Sequence, residues 1–514
     1  SSKMLAVRKV TQENKGKKTA GIDGQKALTN KQRLDLVVKL KILKKAQPTR
    51  RVWIDKPGKK EKRPLGIPTI YDRALQALAK QALEPEWEAK FEENSYGFRP
   101  GRSCHDAVQA IFAGVAQKQK WVLDADIAKC FDKINHNALI NKLNTYPKMR
   151  RLVKQWLKAG VVDDNVFQAT EKGTPQGGVI SPLLANIALH GMENAINEYA
   201  TTLPGRRREN LKAMAFVRYA DDFVIMHPDI KVIEECKELM EIWLKDMGLE
   251  LKPSKTRITH TTEGFDFLGF NVKHYQVGKH HSKKEYKTLI KPASKEIERH
   301  YEKLAETVDR YKAAPQVALI NKLKSIIRGW TNYYSTQCSK DTFSKLDHML
   351  FNKLKKWGYK RHSNKSRNWV IKKYWGTKVT QPSKSWEAPK IDRWVFQCDE
   401  ASLQKHDSTK IKRHIKVKED RSPYDGDLTY WSNRMSKHPE MTSQKGRLLK
   451  RQEGKCNHCG LNFRTEDIIE VHHIIPRALG GNNSDKNKEL LHLHCHDAKH
   501  GKKINSQELD ENPF

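Results

Sequence analysis

The sequence has no apolar run long enough to cross a bilayer as a helix, so no membrane span is expected. Its start shows no basic-then-apolar secretory pattern. The first residues, Ser1-Ser2-Lys3-Met4, include no initiator Met, and an N-terminal piece is expected to be missing. Internal repeats and long low-complexity segments are absent too. Cysteine is scarce, with 8 in 514 residues. Cys104, Cys130, Cys236, Cys338 and Cys398 are scattered, whereas Cys456, Cys459 and Cys495 cluster late in the chain. That spread excludes a disulfide framework and fits a reducing compartment with one metal site. Acidic side chains are outnumbered, 60 against 97 basic ones, for a formal net charge of +37. Single lysine clusters are solvated faces, but an excess along the whole chain calls for a polyanionic partner, nucleic acid first among them. The length accommodates three or four domains.

What is present centres on Phe216-Val217-Arg218-Tyr219-Ala220-Asp221-Asp222-Phe223-Val224-Ile225-Met226. Two short apolar, β-prone runs flank Tyr-Ala-Asp-Asp, a strand–turn–strand pattern. Adjacent carboxylates at a turn repel each other and lose solvation, and a divalent cation would neutralise them. A surface hairpin with a solvated Asp pair would carry the same letters, because Asp is common in turns. Upstream, Val122-Leu123-Asp124-Ala125-Asp126-Ile127 is a second β-type run ending in carboxylates. Two Mg²⁺ ions bridging Asp126 and Asp221 would serve in-line phosphoryl transfer.

These residues resemble the palm of a reverse transcriptase of the multidomain kind encoded within group II introns. The resemblance implies an α+β multidomain chain. Its parts would be right-hand polymerase fingers and palm over 1–280, a helical-bundle thumb (the maturase X domain) over 281–378, a DNA-binding linker region over 379–445, and a C-terminal ββα-metal HNH domain with a zinc knuckle over 446–514. The catalytic carboxylates would be Asp126, Asp221 and Asp222.

Other blocks extend the resemblance. Arg50 to Asp55 reads as a strand entering a basic turn at Lys56-Pro57-Gly58-Lys59-Lys60, and Lys62 to Pro68 as the return strand. In the family this is the fingers hairpin, and Arg63 would meet the triphosphate; a solvated hairpin is the alternative. Leu75, Leu78, Ala79, Ala82 and Leu83 recur at helical spacing, most of them for the core. Glu93 to Ser103 matches a signature of group II intron and retron-type enzymes. In it, Arg99 and Arg102 would either hold template phosphates or serve structure. Phe131, five residues after Asp126, would lie under the incoming sugar and exclude a ribose 2′-OH, unless it is a core residue. Gly173-Thr174-Pro175-Gln176-Gly177-Gly178 leads into an apolar helix after Pro182, with Gln176 facing the nucleotide in the family. Val232 to Met247 reads as an amphipathic helix. Lys255, in the next family block, would assist the departing pyrophosphate or be merely exposed. Gly264 to Phe270 would form a hairpin gripping the primer.

Three helical stripes follow: Ile297, Tyr301, Leu304, Val308 and Tyr311; Leu319, Leu323, Ile326 and Trp330; and Phe343, Leu346, Leu350, Leu354 and Trp357. They predict a three-helix bundle with basic outer faces. Ile326 to Tyr334 matches the maturase-specific thumb, which implies contacts to template–primer and intron RNA, with Arg328 and Trp330 as candidates. Residues 376–445 are weakly patterned, with Ile411 to Lys418 reading as a basic strand-like segment. The region is expected to bind DNA through phosphate contacts.

Near the C-terminus, Cys456-Asn457-His458-Cys459 and His492-Leu493-His494-Cys495 share a two-residue spacing. Cys456, Cys459, His492 and Cys495 would hold a structural Zn²⁺, with His494 competing for the place of His492. This departs from the commoner four-cysteine version. Between and after these ligands, Glu470 to Pro476, Asn487 and His496 to His500 resemble an HNH nuclease. His472, His496 and His500 would hold the catalytic metal, Mg²⁺ or Mn²⁺. His473 would act as general base and Asn487 would orient the loop. His496 and His500 share a face if that stretch is helical. A zinc-only DNA-binding knuckle is the alternative.

The resemblance thus implies an RNA-directed DNA polymerase, an intron RNA maturase and an HNH endonuclease in one chain. Together they would carry out target-primed reverse transcription in retrohoming of a mobile element. Partners would be the group II intron RNA, target double-stranded DNA, an RNA template with DNA primer, and dNTPs; dimerisation is left open. Such a ribonucleoprotein would work in the bacterial cytoplasm at the nucleoid, or in an organelle matrix. Two other readings are a splicing factor with a decayed polymerase, opposed by the intact Asp126, Asp221, Asp222 and Gln176, and a reverse transcriptase of a defence or diversification system, opposed by the maturase thumb and HNH tail.

Overall fold

The computed structural model describes residues 2–42, 45–55, 61–380, 390–439, 441–464 and 467–500. The basic turn expected at Lys56 to Lys60 lies outside them. Its two strands are there: β1 (Thr49–Asp55) and β2 (Lys62–Ile67) pair antiparallel, with Asp55 opposite Lys62. On its other edge β1 pairs with β4 (Val161–Asp163), and β4 with β5 (Val166–Gln168).

The palm is a four-stranded antiparallel sheet in the order β6 (Ala215–Tyr219), β7 (Asp222–His227), β3 (Trp121–Asp126), β8 (Arg257–His260). Both faces are covered, which is why β3, β6 and β7 read as almost unbroken apolar runs. Leu123, Ala125, Phe216, Phe223 and Ile225 pack against helices Ser181–Leu189 and Ile230–Asp246. Val122, Val217, Val224 and Met226 face helix Cys104–Val115. Because side chains alternate, Asp124, Asp126 and Asp222 lie on this second face.

A smaller sheet, in the order β11 (Tyr286–Pro292), β10 (Phe270–Gln276), β9 (Phe265–Phe267), joins palm to thumb. The β9–β10 hairpin expected there is formed, its turn made by Leu268 and Gly269, both at positive φ. Helices Ser294–Arg310, Gln316–Tyr334 and Lys340–Arg361 then make the expected bundle around Leu304, Val308, Leu319, Leu323, Leu350, Leu354 and Trp357. The middle stripe is rotated by one residue from the reading: Ile327 is fully buried and Ile326 only half so.

Beyond the bundle, β12 (Trp375–Thr380), β13 (Lys390–Cys398) and β14 (Ala401–Ser402) form a third sheet. The strand expected at Ile411 to Lys418 is not formed. That segment is extended, but its backbone bonds to neighbouring elements instead of a strand. Lys412 N donates to Ser335 O (2.9 Å), Val417 N donates to Asp106 Oδ1 (2.8 Å), and Ile415 O accepts from Arg434. It is a strap tying thumb to palm. The C-terminal module pairs β15 (Ile469–His473) with β16 (Lys488–His492), followed directly by helix Leu493–Lys499, a ββα unit. None of the described helices is long and apolar enough to cross a membrane.

Candidate active sites

The palm site starts at the two-residue turn between β6 and β7. Ala220 there adopts φ +58°, a conformation that disfavours a Cβ and has to be imposed by its surroundings. Arg218 imposes it. Its side chain is wholly buried, donating to Asn186 Oδ1 (3.1 Å), Ala220 O (3.0 Å) and Ser95 Oγ (2.6 Å). Gly97 packs against the turn so closely that a Cβ would stand 2.9 Å from both Cα and Cβ of Ala220.

The register then puts Asp126 directly opposite Asp222, and Ile127 N donates to Asp221 O (3.2 Å). The ammonium of Lys255 bonds to Asp126 Oδ2. Burial, then the charges of Asp221 and Asp126, push Asp222 up to about 6. Asp221 is raised by burial and by Asp126, while Lys255 and Arg63 oppose the rise. Arg63 is exposed on β2, so the fingers hairpin directs its positive field at this turn. Crowded, part-buried carboxylates of this kind suit divalent cations. Asp124 joins them, pushed to about 7 by burial and then by Asp222 and Asp266. Its spacing of two from Asp126 on a strand was the signal for it.

Lys129, at φ +48°, turns the chain so that half-buried Phe131 meets the exposed Phe98, ring centroids 6.0 Å apart and nearly perpendicular. Gln176 Nε2 lies 3.4 Å from Asp132 Oδ1, and Gln176 O accepts from Gly66 N (2.7 Å), which docks the fingers hairpin on this loop. The structure thus gathers Asp126, Asp221, Asp222 and Lys255, with Arg63, Phe131 and Gln176 on neighbouring elements.

Two arginines expected at the template are committed elsewhere. Arg99 is buried in a bidentate pair with buried Glu88 and also donates to the carbonyls of Glu92 and Ser95. Arg102 is 8% exposed and donates to the carbonyls of Glu93, Glu419 and Arg421. Both are buried and spend their donors on loop carbonyls, so they hold loops, not phosphates. Trp330 is half-buried, stacked on His300 (4.4 Å, 13°) and packed on Tyr334 and Phe343. It is largely a packing residue of the thumb. Arg328 is exposed on the same helix.

The C-terminal module brings together two sets of donors, each within 4.8 Å: Cys456, Cys459, His492 and Cys495, and His472, His496 and His500. Four thiol and imidazole donors in one cluster suit tetrahedral Zn²⁺. His492 Nδ1 faces Cys459 Sγ (3.4 Å) while its Nε2 meets Asp467 Oδ2 (3.3 Å), the outer partner that orients a ligating imidazole. His494 is exposed and stacks on His492 outside the cluster. The second set lies on β15 and the last helix, with His472 Nδ1 3.0 Å from His500 Nε2. His473 points to the opposite side of β15 and bonds Asn483 Oδ1 (3.0 Å). Asn487 bonds both the N–H and the carbonyl of Ile475 and the carbonyl of Asn482, so it fixes the loop after His473. The sequence reading missed Glu489. It is buried between the sets, bonded to Asn457 of the knuckle and to Lys499, with an oxygen 3.9 Å from His472 Nε2.

Both sites lie in stretches that match known families. Residues 54–272 match the model of the reverse transcriptase (RNA-dependent DNA polymerase) family and residues 1–40 its N-terminal domain. Residues 297–375 match the group II intron maturase-specific domain, and 456–502 the HNH endonuclease family. Among relatives, the protein YkfC of Escherichia coli is 35% identical over 306 residues, 51% of this chain and 78% of that one. The group II intron-encoded protein LtrA of Lactococcus lactis is 35% identical over 288 residues, 44% of this chain and 47% of LtrA. The match therefore spans about half of LtrA's length. A solved telomerase from Candida albicans superposes with a TM-score of 0.37 at 13% identity, over 63% of this chain and 64% of that one, too slight a likeness to add weight.

Proposed function

The chain belongs to the reverse transcriptases encoded by group II introns, and on that premise we propose that it copies intron RNA into DNA at a nick that its own HNH module makes. The observation that carries this reading is the pairing of two separate metal-type sites in one chain: the crowded palm carboxylates and the histidine set of the ββα unit.

In the palm, Asp126 and Asp221 would hold two Mg²⁺ ions and Asp222 would support them. Bound there, the ions supply charge neutralisation for the attacking 3′-hydroxyl and the departing pyrophosphate. Arg63 binds the triphosphate from the fingers, and Gln176 lines the nucleotide site. Phe131, backed by Phe98, lies beneath the sugar and excludes ribonucleotides. Lys255, already bonded to Asp126, is placed to meet charge on the leaving group.

In the nuclease module, His472, His496 and His500 would hold Mg²⁺ or Mn²⁺. His473 takes the proton of the attacking water, and Asn487 keeps its loop in place. The zinc set at Cys456, Cys459, His492 and Cys495 would be structural. The thumb and the region after it bind intron RNA and target DNA, with exposed Arg328 among the contacts. Fingers and palm take 1–280, thumb 281–378, the DNA-binding region 379–445 and the nuclease 446–514. The ribonucleoprotein acts in the bacterial cytoplasm at the nucleoid or in an organelle matrix.

The test is primer extension on an RNA template with Mg²⁺, beside nicking of duplex DNA by the same preparation. Asp221→Ala/Asp222→Ala abolishes extension and spares nicking. A folded parent chain that extends no primer sinks the polymerase reading.

A further inference from the structure

Strand β13 carries an irregularity against β12. Val395 lies opposite Gly376 and Asp392 opposite Lys378, so Arg393 and Trp394 bulge out across Thr377. Trp394 at the bulge has φ +57°. This is the backbone region in which a bulge ordinarily places glycine, and a large side chain there is strained. The strained residue is not buried in return: Trp394 is 60% exposed. Both the backbone cost and the apolar exposure oppose stability, and bulges of this kind re-aim a side chain. Lys405 Nζ donates to Arg393 O (3.0 Å), holding the bulge from the opposite wall.

The indole lines an open cleft of about 600 Å³ between β13 and the thumb helix Lys340–Arg361. The other walls are aromatic and aliphatic: Phe351, Leu354, Tyr359 and Trp375. Phe351 and Trp375 stand edge-to-face at 5.6 Å. Cations are part of the lining. Lys355 lies over the Phe351 ring at 4.8 Å, and Arg393 and Lys405 also line the cleft. Two carboxylates line the cleft beside the three cations: that of Asp347 is already taken, by His406 and the backbone N–H of Asp407, and the other is that of Asp407. An apolar slot with an exposed flat ring and three cations in its lining matches an unstacked nucleobase and its flanking phosphates. Most of the wall belongs to the stretch matching the maturase-specific domain.

We propose that this cleft captures an unpaired nucleobase of a structured RNA, stacked on Trp394, with Lys355, Arg393 and Lys405 on the adjacent phosphates. The inference rests on the reading of the chain as an RNA-binding maturase. It adds a defined base pocket to that reading, outside both active sites.

The experiment uses the full chain and a 20-nucleotide oligoribonucleotide bearing 4-thiouridine, with photocrosslinks mapped by mass spectrometry and a deoxy oligomer of the same sequence alongside. Crosslinks are expected on Phe351 and Trp375. Trp394→Gly, which suits the positive φ, should lower their yield about tenfold, the loss expected for one stacked base. The same variant should melt no lower than the parent. Trp394→Phe should restore the yield. The proposal is overturned by equal yields in the parent and Trp394→Gly; the deoxy oligomer is expected to crosslink there too, since stacking and phosphate contacts do not read the 2′-OH. A parent chain that binds no RNA by filter retention would remove the maturase reading itself, a different result from RNA binding that ignores Trp394. Primer extension should be unchanged in both variants.

Discussion

Gly97 lies against Ala220 with no room for a side chain: a Cβ on Gly97 would fall within 3 Å of three atoms of Ala220, in the turn between β6 and β7. The loop before helix Cys104–Val115 and the Asp221–Asp222 turn are therefore shaped to each other, through Gly97 and through the Arg218 guanidinium that bonds Ser95 and Ala220 together. Gly97→Ala should push the turn out of place. RNA-templated extension is expected to fall about 100-fold or more, since a misplacement of about 1 Å costs that much in positioned catalysis. DNA nicking, measured on the same preparation, should stay within twofold. Extension at the parental rate would show that the turn can shift at no cost.

Arg99→Ala tests the correction to its role. Removing one partner of a buried pair strands the Glu88 carboxylate and two carbonyls, a loss of about 3–5 kcal/mol in stability. The urea midpoint should drop accordingly, while the affinity of the folded fraction for template–primer stays as in the parent. Weakened template binding with an unchanged midpoint would restore the phosphate role.

The palm strands were legible because they are apolar runs buried on both faces, with carboxylates at the end of β3 and at the turn between β6 and β7, a combination that survives without tertiary knowledge. The metal-type clusters were legible for a related reason: repeated two-residue spacing and an i, i+4 His pair fix geometry locally. Arg99 was not, because its partner Glu88 sits eleven residues earlier in a helix that the Arg only meets after folding. Ile411 to Lys418 has the alternation of a strand, but alternation says nothing about which neighbour takes the backbone bonds, and here Asp106 and Arg434 do. Glu489 stands beside Lys488 at the start of β16, a position that reads as a solvated strand end, and only the fold shows that Asn457, Lys499 and His472 surround it.

Acid should loosen the thumb. Burial, with the nearby His406 and Lys303, drives His300 down to about 3, so it stays neutral in the folded chain. In the unfolded chain it takes a proton near its ordinary value of about 6.5. A depressed pKa gives stability that is complete above about 6.5 and is lost as pH falls toward 3, by up to about 1.4 kcal/mol per unit. His105, lowered to about 4 by burial, adds a similar loss between helix Cys104–Val115 and the thumb residue Tyr333, whose carbonyl it bonds. Urea midpoints at pH 7, 6 and 5 should fall in the parent and fall less steeply in His300→Gln. Parallel slopes would contradict this account.

The zinc set should be separable from the palm. Cys456→Ser is expected to lower bound zinc from one per chain to none, measured by elemental analysis, and to abolish nicking because a structural zinc site contributes folding energy to its module. RNA-templated extension should be kept. Full zinc content in Cys456→Ser would remove the assignment.

The central claim is that one chain cuts and then copies, and it is tested most directly without any supplied primer. The chain is assembled with its intron RNA and given duplex target DNA, Mg²⁺ and labelled dNTPs, beside a His473→Ala chain. The parent should join label to the nicked DNA strand. His473→Ala should yield neither nick nor labelled strand, yet extend a pre-annealed primer at the parental rate. Labelled DNA made equally well by His473→Ala would contradict the account, because synthesis would then not depend on the cut.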